Sequence, residues 1–252
     1  MAKPDVALTL IGGPTLLIEV DGLRLLTDPT FDPPGTYQAK DIVLEKLRGP
    51  ALQPSEIGRI DAVLLSHDQH WDNFDRSGRE FAATKTVITT PVGAERLGNG
   101  AMGLAPWQTM PLGDLVITAV PARHGPRGIE PISGDVTGFL IGRPDEPGLI
   151  YVSGDTVWYE QTTEIARRFR PRLAVLFTGE AKPRANVHVT MDSNDVIEAA
   201  HAFAEATIVA IHNDGWRHFT ETQSELETSL KLLGLEARFR RLTPGRREVV
   251  TL

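Results

Sequence analysis

The stretch Ala62-Val63-Leu64-Leu65-Ser66-His67-Asp68-Gln69-His70-Trp71-Asp72-Asn73 changes character at Ser66. Four apolar residues of buried-strand type run straight into a loop holding two histidines, two aspartates, a glutamine and an asparagine. Three further runs end the same way. Val116 to Ala122 leads to Arg123-His124, Leu149 to Ser153 to Gly154-Asp155, and Thr207 to Ile211 to His212. In open α/β sheets ligands gather at the carboxyl ends of strands, where loops vary while the strands hold them rigidly. Imidazole together with carboxylate is the donor set for zinc, iron or manganese. One such histidine is weak evidence, since most are hydrogen-bonded core or surface residues. Four strand ends doing the same thing make a metal site the expected reading. The crowded loop suits two neighbouring cations, which at about 3.5–4 Å apart share and activate one water.

Outward from that loop, the chain alternates strands with turns and a few helices. Val6 to Ile11 and Thr15 to Val20 flank Gly12-Gly13-Pro14, and Asp21-Gly22 turns the chain into Leu23 to Thr27. Asp32-Pro33-Pro34-Gly35 opens what reads as a long polar loop over a binding face. Further strands are expected at Thr86 to Thr90, Val136 to Ile141, Leu173 to Phe177 and Arg247 to Thr251. A helix is expected over residues 192–206 with Asp192 as N-cap. Another starts near Thr220 with Gln223 completing a capping box and ends before Gly234, and a short one follows Pro91. No repeat, heptad or linker divides the chain. The expectation is one α/β domain over residues 1–252, its sheets covered by helices.

Composition narrows the function. The 252 residues carry 26 basic and 33 acidic side chains, a net charge of −7 that disfavours nucleic acid as a partner. Cysteine is absent, which excludes disulfides, thiol catalysis and thiolate metal ligands. The opening MAKPDVALTL lacks a signal-type apolar core, and no run approaches the roughly 20 apolar residues of a membrane span. A cytoplasmic protein without membrane insertion is expected, and a homo-oligomer is compatible with the composition. No Gly-x-Ser-x-Gly appears, so a serine hydrolase fits poorly.

The series of the 66–73 loop, His124, Ser153-Gly154-Asp155-Thr156 and His212 resembles the metallo-β-lactamase fold superfamily. The opening Leu8-Thr9-Leu10-Ile11-Gly12 and Leu25-Leu26-Thr27-Asp28-Pro29 are similar to its branch containing L-ascorbate-6-phosphate lactonase and the phospholipase D acting on N-acylphosphatidylethanolamine. The resemblance runs from about residue 6 to 220. It implies a four-layer αββα sandwich and a metal-dependent hydrolase that turns a metal-bound hydroxide on a lactone, another ester or a phosphodiester. One or two divalent ions, manganese or zinc, are implied as cofactors.

Against the family motif His-x-His-x-Asp-His, His67 takes the first place and Asp72 the acidic one. Gln69 stands where the second histidine is usual, one extra residue precedes Asp72, and Asn73 replaces the closing histidine. Either His70 swings in for the second histidine or Gln69 ligates through its carbonyl oxygen. The first position is then His67, His70 or Gln69, His124 and Asp155. The second is Asp72, Asp155 and His212, with Asn73 as a weak neutral ligand. Oxygen donors in place of nitrogen shift preference towards manganese or magnesium.

Asp72 and His188 are the catalytic candidates, His188 because it precedes the 192–206 helix where relatives place a histidine near the metals. Trp71, Trp158, Tyr159 and Trp216 fall close to the ligands in sequence and are candidates for an apolar pocket wall, with His218 beside them. Arg123 and Arg127 bracket His124, and Arg123 suits a small anionic substrate. Asp28 is expected to support the site from behind and His201 to be structural. The alternative function is a small-ligand-binding protein on a decayed site, since Gln69 and Asn73 are what lost metal affinity looks like.

Overall fold

A computed structural model describes residues 5–252. Tight turns shape its first part. β1 (Asp5–Gly12), β2 (Thr15–Val20) and β3 (Leu23–Thr27) form an antiparallel meander. Asp21 and Gly22 both have positive φ, 49° and 80°, as a two-residue hairpin between right-twisted strands requires. Next come β4 (Gly35–Ala39), β5 (Ile42–Lys46), β6 (Ala62–Leu64), α1 (Arg76–Ala82), β7 (Val87–Thr89), α2 (Pro91–Leu97) and β8 (Met102–Gly103). The second part contains β9 (Thr109–Leu112), β10 (Leu115–Pro121), α3 (Glu130–Ser133), β11 (Thr137–Arg143), β12 (Glu146–Val152) and α4 (Glu160–Arg168). It continues with β13 (Leu173–Phe177), α5 (Ser193–Ala202), β14 (Thr207–Ile211) and α6 (Gln223–Leu232), and β15 (Arg247–Thr251) returns to the edge beside β1.

Two sheets result, ordered β15-β1-β2-β3-β6-β7-β8 and β14-β13-β12-β11-β10-β9. Each is antiparallel at one side and parallel at the other. Their inner faces meet in an apolar layer, with Leu8, Ile18, Leu25 and Leu64 from the first sheet and Ile117, Phe139, Ile150, Val175 and Val209 from the second. Outside the second sheet, Tyr151, Leu176 and Ile208 pack on Ile165 of α4, Val196 and Ala199 of α5 and Leu226 of α6. Outside the first, Leu17, Leu26 and Val63 pack with Phe74, Ala82 of α1 and Leu97 of α2. These are the four αββα layers that the sequence led one to expect.

All of Leu173 to Phe177 is buried, because β13 is covered on both faces. The carboxyl ends of β6, β10, β12 and β14 share one edge of the sandwich, since β10 runs antiparallel to β11 and β11 antiparallel to β12.

Three expectations need correction. The polar loop after Pro34 is a two-stranded ribbon, β4 with β5, seated on Trp216 through Tyr37 and Leu44. The capping box of α6 is formed by Thr222 and Glu225, not Thr220 and Gln223, and Thr220 instead bonds Glu180. The helix capped by Asp192 stops at Ala202, because the chain must turn at Phe203 and Ala206 to enter β14.

Candidate metal centre

Asp28 fixes the start of the site. Its carboxylate, buried at the end of β3, accepts from the backbone N–H of Ser66 at 2.7 Å and so holds the residue before His67. Asp75 fixes the far end of the loop. It caps α1 through Gly78, accepts from the backbone N–H groups of Phe31 and Asp32 at 3.0 and 2.7 Å, and pairs with Lys46 at 3.0 Å. Both partners of that ion pair are buried, so the pair stands on its hydrogen bonds rather than on solvent. Lys46 and Asp75 were not legible as site supports; the only local signal was an Asp placed as an N-cap. Asp68 faces away from the site and takes Arg96 on both oxygens.

Between these anchors the imidazoles converge. His67 Nε2 and His124 Nε2 lie 2.9 and 3.1 Å from His70 Nδ1. Asp155 Oδ2 lies 3.4 Å from His124 Nε2 and 3.9 Å from His67 Nε2. One donor atom from each of His67, His70, His124 and Asp155 falls within 4.8 Å of every other. The remaining ring nitrogens are tied down: His124 Nδ1 to the Val189 carbonyl at 2.7 Å, His67 Nδ1 to Ser66 Oγ at 2.9 Å.

Protons alone do not satisfy this cluster. A carbonyl only accepts, so His124 Nδ1 carries that ring's hydrogen and Nε2 presents a lone pair. One hydrogen, on His70 Nδ1 or on His67 Nε2, is then all that lies among the three nitrogens, and it cannot serve both contacts. Asp155 Oδ2 is buried with no hydrogen-bond donor. Three converging nitrogens and an orphan carboxylate oxygen are a fitting donor set for a divalent cation.

Electrostatics agree. Burial and the neighbouring rings hold His67 well below its ordinary pKa, and burial takes His124 to about 3 and His212 to about 4. His70 is lowered by burial as well. These rings are neutral, as ligation requires. Burial, with Asp72 and Asp28 nearby, pushes the Asp155 carboxyl well up. Burial acts upward on Asp72 too. There the hydrogen bond from His218 and the facing rings outweigh it and hold the carboxyl well below the usual range.

The candidates from sequence distribute unevenly. His70, not Gln69, brings its side chain into the cluster. The Gln69 amide is packed against Gly134, where an added Cβ would lie 2.4 Å from Nε2. Asn73 Nδ2 donates to Asp155 Oδ1 at 3.2 Å, so the side chain orients that carboxylate. His212 stands between the two acids, Nδ1 3.4 Å from Asp155 Oδ1 and Nε2 4.0 Å from Asp72 Oδ2. His218 donates from Nε2 to Asp72 Oδ2 at 2.9 Å.

His188 does not turn into the site. Its ring faces Asp195 of α5 at 3.4 Å, and only the backbone of its neighbour Val189 reaches His124. The expected catalytic place for His188 is therefore not what the structure shows. Trp158 is half-buried and packs edge-on against Phe203 beside the helix layer. Trp71 is stacked near Tyr37 and donates to the Gln38 carbonyl. Trp216 is buried against Tyr37 and Lys46, and with His212 it borders a cavity of about 450 Å³. The Arg123 guanidinium lies over the Tyr159 ring, 4.3 Å from its centroid.

A family model described as the β-lactamase superfamily domain matches residues 23–213. The chain belongs to the β-lactamase superfamily. The matched span contains every donor from His67 to His212 and ends before His218. Within the superfamily, UPF0173 protein YddR of Bacillus subtilis is 25% identical over 242 residues, covering 91% of this chain and 94% of the relative. A UPF0173 metal-dependent hydrolase of Koribacter versatilis is 26% identical over 227 residues, covering 83% and 92%. Among solved structures, the isothiocyanate hydrolase from Delia radicum gut bacteria superposes with a TM-score of 0.84 at 23% identity, over 98% of this chain and 100% of that one. That likeness shows a shared fold.

Proposed function

We propose that this chain, a metal-dependent hydrolase by family and relatives, holds a divalent cation on His67, His70, His124 and Asp155 and hydrolyses a small substrate beside it. The observation that carries the reading is the convergence of three imidazole nitrogens on one place with a single hydrogen among them and an unpartnered carboxylate alongside. A bound cation of this kind lowers the pKa of water to near 7 and acts as a Lewis acid. Zinc or manganese suits the nitrogen-rich donor set.

The chain's own residues supply the rest. Asp72, held ionised beside the cluster, is placed to accept a hydrogen bond from the attacking water and orient it, and His218 fixes the carboxylate. Asn73 keeps the Asp155 carboxylate aimed between His124 and His212. Arg123, stacked on Tyr159, offers a guanidinium to an anionic group, which favours an acidic lactone, ester or phosphodiester. The structural neighbour described as an isothiocyanate hydrolase adds a neutral electrophilic carbon to the classes worth testing. The cysteine-free composition is in keeping with a cytoplasmic place, and no described helix is long and apolar enough to cross a membrane.

The test is metal content and turnover measured together. Protein stripped with a chelator and reloaded with zinc or manganese is screened against lactones, carboxylate esters, phosphodiesters and isothiocyanates. Metal-dependent turnover of one class, lost in His124→Ala, supports the proposal. Protein that takes up neither ion overturns it, and the small-ligand-binding reading then takes its place.

A further inference from the structure

We infer that His218 is a ligand of a second divalent cation, held with Asp72 and His212 next to the first. The inference rests on the metal reading above and adds a donor that lies beyond the span matched by the family model.

Two imidazoles address one carboxylate oxygen. Asp72 Oδ2 is 2.9 Å from His218 Nε2 and 4.0 Å from His212 Nε2. Neither ring nitrogen of His212 has a hydrogen-bond partner, although the side chain is fully buried. His218 is itself 8% exposed, and its Nδ1 is buried without a partner. Such unmet nitrogens are costly when nothing occupies the place they face. Asp155 closes the other side, its Oδ1 3.4 Å from His212 Nδ1.

Asn73, the remaining neighbour, cannot supply a nitrogen. Its amide nitrogen has no lone pair and already donates to Asp155, which leaves only Oδ1, buried and unpartnered. His218 is the imidazole at hand. The residue is tied to its surroundings: its carbonyl accepts from the Lys182 N–H at 2.9 Å, and its ring lies between Trp216 and Phe219, at centroid distances of 5.9 and 4.7 Å. A cation here takes the place of the hydrogen between His218 Nε2 and Asp72 Oδ2. Two imidazoles with one carboxylate suit zinc, iron or manganese over calcium or magnesium.

The experiment counts bound zinc in the stripped full-length protein by titration and elemental analysis, with histidine-ring nitrogen NMR recorded at each equivalent. Wild-type protein is expected to take two equivalents, the second moving the ring signals of two histidines not moved by the first. His218→Phe keeps the ring volume between Trp216 and Phe219 and removes both nitrogens; it is expected to take one equivalent. His124→Ala is expected to lose the first position's tight binding while His218 signals still respond to zinc. A wild type that stops at one equivalent, a second equivalent that moves one ring only, or a His218→Phe protein that still takes two overturns the inference and leaves the hydrolase reading standing. A wild type that takes none overturns both.

Discussion

His124 Nδ1 donates to the Val189 carbonyl at 2.7 Å, and this one bond chooses the tautomer that turns a lone pair towards His70 and Asp155. The carbonyl belongs to the segment that leads into α5, so the register of that segment sets the direction of a nitrogen 65 residues earlier. Partners of this kind fix ring orientation and are worth about 10–100-fold in metal affinity.

Removing the ring has a larger effect than disturbing its support. His124→Ala is expected to weaken zinc binding by more than about 100-fold and to abolish measurable turnover, while circular dichroism stays that of the folded protein. Equilibrium dialysis against zinc checks it; unchanged affinity would show that His124 is no ligand.

Asn73→Ala frees Asp155 Oδ1 from its amide donor at 3.2 Å. Zinc affinity is expected to drop by about 10–100-fold with the fold retained. Titration of the variant beside wild type, with thermal unfolding as the control, decides it.

Acid sensitivity follows from the buried rings. His124 and His212 stay neutral in the folded protein down to about 3 and about 4, and His67 and His70 are lowered too. Each becomes charged in the unfolded chain below its ordinary value of about 6.5. Their contribution to stability is present above that pH and lost as pH falls towards the folded values. Asp155 and Asp28, raised by burial, act in the opposite sense. Four rings against two carboxyls leave a net loss as pH drops from about 6 to 4, of about 1.4 kcal/mol per unit for each uncancelled proton. Urea unfolding of the metal-free protein at pH 7, 6 and 5 tests the sign; equal or greater stability at pH 5 contradicts it.

Asp75→Ala removes the acceptor of three backbone N–H groups and strands a buried Lys46. A destabilisation of about 3–5 kcal/mol is expected by denaturant unfolding, with Lys46→Met costing less because the N–H groups keep Asp75 satisfied. Equal losses in the two variants would place the stabilisation in the ion pair itself.

Strand ends were readable because burial leaves a local mark: Ala62 to Leu65 and Ile208 to Ile211 are apolar without interruption, and the chain must turn polar where the sheet stops. The β4–β5 ribbon left no such mark. Its apolar contacts, Tyr37 and Leu44, gain their meaning from Trp216, which lies far along the chain. Motif position made Gln69 a candidate, but the insertion before Asp72 shifts the inward place to His70, a matter of loop path and not of composition. His188 was misplaced for a similar reason. It is its neighbour's carbonyl that serves the site, while the ring is drawn to Asp195. His218 was close enough to His212 in sequence to be noticed, but only folding aims it at Asp72.

The donors of the first position also come from opposite halves of the sandwich. His67 and His70 follow a strand of one sheet, His124 and Asp155 follow strands of the other. In a chain without cysteine no disulfide can join the halves. A cation held there as proposed would be a rivet through the seam, one that a chelator can draw and that redox chemistry at sulfur cannot reach. Loss of such an ion is then expected to slacken the contact between the sheets as well as silence the site. Amide exchange along the inner strands should quicken on chelation well away from the ligands themselves.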